Sequence, residues 1–292
     1  MFSGSLVAIV TPMRPDGAVD FGAWERLVDL HTASGTSGIV VGGTTGESAT
    51  LSESELLQLT ERACAQARQR IQIIAGIGTS STANTVERAR RLSELPIDGL
   101  LVVTPAYNRP TQEGLYQHFG AISRAARVPV ILYNVPTRTA VDMLPATVER
   151  LAQLPGIVAV KEAVPELERV RELVASCGTE FAVLSGDDAT ARRSILAGAR
   201  GLISVTANVA PRAVSDMVAA AMKGNAAEAE RLDAPIAALH RDLFLEANPI
   251  PAKWALARMG IIESGIRLPL TELSLKYQPI VLAALATAGV LD

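Results

Sequence analysis

Aromatic side chains are scarce in this chain of 292 residues: two Trp, four Tyr and five Phe amount to 4% of it. Each tyrosine therefore marks a position to inspect. An excess of basic residues is also missing, since 27 Lys and Arg face 30 Asp and Glu for a formal net charge of −3. That balance removes the electrostatic case for a nucleic acid or an anionic membrane as partner. Cysteine is nearly absent. Cys64 and Cys177 stand far apart in helical-looking, Ala-rich surroundings and fit no metal spacing, so they read as free thiols of a reducing cytosol. The three histidines, His31, His118 and His240, fall on helix-like patterns and form no ligand cluster. No apolar run approaches the roughly 20 residues that span a bilayer. The opening MFSGSLVAIVTP lacks a basic n-region and runs straight into a strand pattern, so it does not read as a signal peptide. With 49% apolar and 20% charged residues, the expectation is a cytoplasmic enzyme with a large core.

What is present is a repeated alternation. Eight short apolar runs recur: SLVAIV (5–10), GIVVGG (38–43), IQIIAGIG (71–78), GLLVVTP (99–105), PVILYNVP (129–136), GIVAVKE (156–162), FAVLSGD (181–187) and GLISVTAN (201–208). They are unalternated and rich in Val, Ile and Leu, as strands buried on both faces of a parallel sheet must be. Helical patterns separate them. Phe21, Trp24, Leu27, Val28 and His31 keep the three/four spacing of one helix face, and Ser52 to Glu55 reads as a capping box. Strand then helix, eight times in about 210 residues, predicts an α/β fold of the (β/α)8 TIM-barrel type. An open doubly wound sheet is the alternative, but no GxGxxG follows the first strand. Beyond residue 211 the pattern is helical throughout, with Pro211 and Pro249 placed as first-turn prolines, which predicts a C-terminal helical appendage. The expected division is a barrel over 1–224 and a helical domain over 225–292.

Barrel active sites lie at the C-terminal ends of the strands. Those ends carry GGTTGES (42–48), TPAYNRP (104–110), YNVPTRT (133–139), Lys161-Glu162, SGDD (185–188) and SVT (204–206). A buried run that finishes on Lys161 needs a reason, because an ammonium in an apolar setting must be paired or shed its proton. A neutral lysine attacks ketones and forms a Schiff base, whose iminium is an electron sink that yields an enamine. That chemistry calls for no metal. Each residue also has a plainer reading. Lys161 could pair with Glu162, GGTTGES could be only a tight turn, Tyr133 could be core, and Arg138 could be surface. Asp187 and Asp188 read as caps of the following helix, and Lys253 as a solvated residue of the appendage. The functional reading gains weight from the convergence of Thr44, Thr45, Tyr133, Arg138 and Lys161 on one barrel end.

Taken together, GTTGESATL (43–51), the segment 103–119, ILYNVPTRT (131–139), IVAVKEA (157–163), SGDDAT (185–190), GLISVTANVAPR (201–212) and NPIPAKWAL (248–256) closely resemble the dihydrodipicolinate synthase family over essentially the whole chain. The resemblance implies a lysine-dependent aldol enzyme that joins pyruvate to L-aspartate 4-semialdehyde in the diaminopimelate and lysine pathway. It assigns the Schiff base to Lys161 and proton transfer to Tyr133, assisted by Thr44 and Tyr107. It gives the pyruvate carboxylate to Thr45 and the aldehyde's carboxylate to Arg138, with the backbones of Gly186 and Ile203 lining the pocket. No cofactor is implied beyond the covalent intermediate. A homotetramer is implied, a dimer of tight dimers in which Tyr107 reaches the neighbouring site, so that an isolated monomer is a poor catalyst. Lysine-sensitive members of the family share Ser48 and Ala49, but carry His, His, Asn, Glu and Tyr where this chain has Glu53, Leu56, Ser80, Asn84 and Ala106. Weak or absent inhibition by lysine is therefore expected, since an ammonium ligand loses its carboxylate partner at position 84. N-acetylneuraminate lyase and the 2-keto-3-deoxy sugar acid aldolases share the chemistry, but a polyol aldehyde has no use for Arg138. A non-catalytic paralogue is disfavoured, because all six polar candidates are intact.

Overall fold

Val-, Ile- and Leu-rich runs form strands here because both of their faces are covered. In a computed structural model that describes residues 2–291, the strands are β1 (Gly4–Ala8), β2 (Gly38–Val41), β3 (Gln72–Gly76), β4 (Gly99–Val103), β5 (Val130–Asn134), β6 (Ile157–Glu162), β7 (Ala182–Ser185) and β8 (Gly201–Ser204). Among the described residues they close in sequence order into one parallel barrel, with β8 returning to β1. Seven strands fall inside the runs expected for them, and β1 begins one residue before its run, at Gly4. The fold is the (β/α)8 barrel that the alternation predicts.

The two-residue period of a strand separates two apolar layers. Leu6, Val40, Ile74, Leu101, Ile131 and Leu184 fill the barrel interior. Their neighbours, among them Val7, Ile39, Ile73, Leu100 and Leu132, face outward against the helices. Those helices carry local start signals. Phe21–Ala33 begins after Asp20, whose carboxylate accepts the Ala23 N–H at 3.0 Å, and it buries Trp24, Leu27, Val28 and His31. Glu53–Ala67 opens with the expected capping box, the Ser52 N–H donating to Glu55 at 2.8 Å and the Glu55 N–H to the Ser52 hydroxyl at 3.2 Å.

Four further α-helices follow position 224 among the described residues: Ala226–Asp233, Ala237–Asp242, Ile250–Arg258 and Gln278–Thr287. Pro211 is the first residue of its helix, Pro211–Met222, as expected. Pro249, by contrast, caps Ile250–Arg258 from outside, and Pro251 occupies the first turn, where a missing N–H costs nothing. Residues 250–256 of that helix are all buried. No face of it is free to hold a solvated lysine, and the surface placement expected for Lys253 is corrected below.

Candidate active site

On β6, Ala159 faces the barrel interior, so the pleat turns Lys161 inward and Glu162 outward. The plain pairing of these two neighbours is thereby excluded by geometry. On β5 the same period brings Ile131 and Tyr133 inward, and the register sets Tyr133 beside Lys161 and Asn134 beside Glu162. The Lys161 Nζ sits 4.2 Å from the centroid of the Tyr133 ring, over its face. Both are buried, at 5% and 7% exposure.

They stand at one end of a cavity of about 280 Å³, lined also by Thr44, Thr45, Arg138, Gly186 and Asn248. Gly42 lets the chain turn sharply after β2: its φ is +63°, and a Cβ there would lie 2.3 Å from Leu56 Cδ1. The turn then delivers Thr44 and Thr45 to the cavity. The Thr45 hydroxyl accepts from Asn248 Nδ2 at 2.9 Å, which leaves its hydrogen for a ligand. Arg138 lies at the exposed mouth on the short helix Pro136–Thr139, donating to the Asn248 carbonyl at 3.3 Å. At the end of β7, Gly186 is required by close approach. A Cβ on it would meet Lys161 Cε and Ala163 Cβ at 3.0 Å.

Two expected residues are not brought to this cavity. Ile203 is buried on β8 in the interior layer rather than along the cavity lining. Tyr107 points away, 95% exposed and with a φ of +72°, in the loop after β4. Nothing within its own chain covers it.

Three further placements differ from the sequence reading or add to it. Neither Asp187 nor Asp188 caps the helix Ala191–Leu196, whose start has no side-chain cap. Asp187 accepts the N–H and hydroxyl of Thr190 in the preceding turn, at 2.9 and 2.7 Å. Asp188 reaches elsewhere. It is buried, accepts the Ser204 hydroxyl and the Val205 N–H, and so ties the ends of β7 and β8 together. Lys253 is buried against Glu47, again contrary to expectation.

Behind the barrel wall lies a cluster that no motif announced. Asn134 Nδ2 donates to both Glu162 oxygens at 3.1 Å and to Asp142 Oδ1 at 2.7 Å, while its own oxygen accepts the Met143 N–H at 2.9 Å. Burial pushes the Glu162 carboxyl up to about 7 against the Val164 N–H, Asn134 and Arg169. Burial also opposes the charge of Asp142, but Arg169 and Asn134 outweigh it and hold that carboxyl below its ordinary range. The only signal available in sequence was an acid directly after the strand lysine.

Comparison with known proteins agrees with this geometry. The sequence profile described as the dihydrodipicolinate synthetase family matches residues 1–288. A 4-hydroxy-tetrahydrodipicolinate synthase of Methylococcus capsulatus is 52% identical over 291 residues, covering 100% of both chains. One of Alkalilimnicola ehrlichii is 53% identical, covering 99% of each. Among solved structures, the chloride-inhibited dihydrodipicolinate synthase of Acinetobacter baumannii, complexed with pyruvate, superposes with a TM-score of 0.98 at 48% identity, covering 100% of both chains.

Proposed function

Because the chain belongs to the dihydrodipicolinate synthetase family, we propose that it is a lyase of the class I aldolase type that condenses pyruvate with L-aspartate 4-semialdehyde. The observation that carries this reading is the Lys161 amine, buried at the C-terminal end of the barrel and stacked 4.2 Å over Tyr133. In the proposed cycle Lys161 Nζ adds to the pyruvate ketone, and water leaves to give the iminium. A methyl proton is then lost, and the resulting enamine carbon attacks the aldehyde carbon of the second substrate. The amino group of the new chain finally attacks the iminium carbon, closes the ring and releases Lys161. Tyr133 is the proton donor and acceptor nearest the amine, and Thr44 relays its proton.

The Thr45 hydroxyl, with its hydrogen unused, suits the pyruvate carboxylate. The Arg138 fork at the mouth suits the carboxylate of the aldehyde. Gly186 shapes the floor, and Ile203 supports it from the interior layer. Tyr107 completes the relay only from a neighbouring subunit; its exposure supports an assembly of the dimer-of-dimers kind. Residues 1–224 form the barrel unit in this reading, and 225–292 a helical unit that lends Asn248 to the site. The enzyme acts in the cytoplasm, in diaminopimelate and lysine synthesis, with little feedback by lysine. A sugar-acid lyase is the second reading, and Arg138 at the mouth disfavours it.

Borohydride in the presence of pyruvate tests the chemistry. Hydride converts the iminium into a stable secondary amine on Lys161, and Lys161→Ala abolishes both the adduct and turnover with aspartate semialdehyde. A trapped adduct without turnover on that aldehyde would move the assignment to the sugar-acid lyases.

A further inference from the structure

A second buried lysine, Lys253 on the helix Ile250–Arg258, pairs with Glu47 of the loop after β2 and is not used by the catalytic cycle. Glu47 and Lys253 are 3% and 2% exposed, and the Lys253 ammonium donates directly to Glu47 Oε1. Glu47 Oε2 accepts the Arg267 backbone N–H at 3.2 Å. Arg267 in turn donates to the Gly17 carbonyl at 2.8 Å and the Thr50 carbonyl at 2.7 Å, and pairs with Glu55. Glu47 itself has a φ of +57°, a conformation that a residue with a side chain adopts only where its surroundings impose it. Its N–H donates to the Thr44 carbonyl at 3.1 Å, and its carbonyl accepts the Thr50 N–H at 2.9 Å. Five residues before Lys253, Asn248 holds the Thr45 hydroxyl. The appendage therefore grips the segment 45–47 at both ends.

Stability alone does not account for such a pair, because well-packed apolar residues serve a core as well as a buried ion pair does. Lys253 does not line the cavity, so it is not a competing nucleophile. We propose that Glu47 and Lys253 are positioning residues for the keto-acid substrate: their buried ion pair, closed by the Arg267 backbone, locks the β2 loop in the one conformation that presents Thr44 and Thr45 to the pyruvate carboxylate. This inference rests on the assignment of that carboxylate to Thr45. It places the determinant of keto-acid affinity in the C-terminal helices, outside the barrel.

The full-length assembled protein carries the test. Removing one partner strands a buried charge, so the informative variant is the double one, Glu47→Gln/Lys253→Met. Its melting temperature stays within about 5 °C of the wild type. The pyruvate concentration for half-maximal borohydride trapping rises about tenfold or more, while the KM for aspartate semialdehyde stays within about twofold. An unchanged trapping midpoint, or an equal rise in both constants, overturns the proposal. Should the double variant fail to fold, Lys253→Arg keeps the charge and changes its reach; it raises the trapping midpoint alone, and no change there overturns the proposal equally. A wild-type protein left unmodified by pyruvate and borohydride overturns the catalytic reading itself, and this inference with it, which keeps the two failures distinct.

Discussion

At the scale of single residues, two positions have consequences that can be measured. Gly186 is a glycine because the Lys161 stem passes where its Cβ would stand, at 3.0 Å. Gly186→Ala must displace that stem or the β7 end. Displacing the reacting amine lowers the rate, with about 100-fold as the limit for a full ångström, and overpacking costs about 1–3 kcal/mol of stability. Steady-state turnover and a melting curve check it, and an unchanged kcat would contradict the close approach. Glu162 is the second position. Its carboxyl is raised from the ordinary 4.5 to about 7 by burial, so the folded state holds the proton over a range where the unfolded chain has lost it. The stabilisation is fully present below about 4.5 and is lost as pH rises through about 7, a change of roughly 3 kcal/mol. Glu162→Gln removes this titration. The stability of the variant relative to the wild type is therefore expected to improve by that amount between pH 4.5 and 8.5. A difference that does not vary with pH would exclude a proton on Glu162.

At the scale of elements, adjacent strands deliver paired functions on opposite faces. The β5–β6 register that brings Tyr133 to Lys161 also brings Asn134 to Glu162 behind the wall, so the two catalytic candidates are held in place from the far side. The helices after β2 and β3 carry positions on which the expected insensitivity to lysine rests. Where lysine-sensitive relatives of the family carry acceptors for an ammonium, this chain has engaged them otherwise. The Glu53 carboxylate accepts Arg88 Nε at 2.6 Å, and the Ser80 hydroxyl donates to the Ala106 carbonyl at 2.8 Å. Asn84 offers an amide in place of a carboxylate, and Ala106 offers a methyl group in place of a ring. Millimolar L-lysine is accordingly expected to leave the initial rate essentially unchanged. Strong inhibition below about 1 mM would show that an ammonium site worth roughly 4 kcal/mol or more survives without those groups.

At the scale of the whole molecule, acid sensitivity follows from buried imidazoles. Burial lowers His31 and His118 from 6.5 to about 4. A group whose folded affinity for protons is depressed stabilises the fold above its unfolded value and loses that contribution as pH falls. The window here runs from about 6.5 down to about 4, and each histidine contributes roughly 3 kcal/mol. Glu162 gains in the opposite direction over nearly the same range, but it is one group against two. Stability is thus expected to fall between pH 6.5 and 4. His31→Asn, which keeps an atom near the nitrogen that contacts Thr36 at 3.1 Å, makes that fall shallower in thermal unfolding across the window. An equally steep fall in the variant would remove His31 from the account.

Local chemistry was legible in the chain itself. The eight apolar runs, the capping box at Ser52, the sharp turn at Gly42 and the lysine closing a buried run each depend on a few consecutive residues, and each stands where the sequence reading put it. Thr44, Thr45, Tyr133, Arg138, Lys161 and Gly186 converge because strand ends share one rim of a barrel, so a correct count of strands was enough to gather them. Distant pairing was decided only by the tertiary structure. The inward turn of Lys161 was expected at a strand end, but the pleat also turned Glu162 outward, to Asn134, and that pairing was not legible in the run. Lys253 meets Glu47 across 206 positions of sequence, and Asp188 leaves the helix start for the end of β8. Burial made these charges find partners, and which partners were within reach depended on the closed barrel and the helices packed over its mouth.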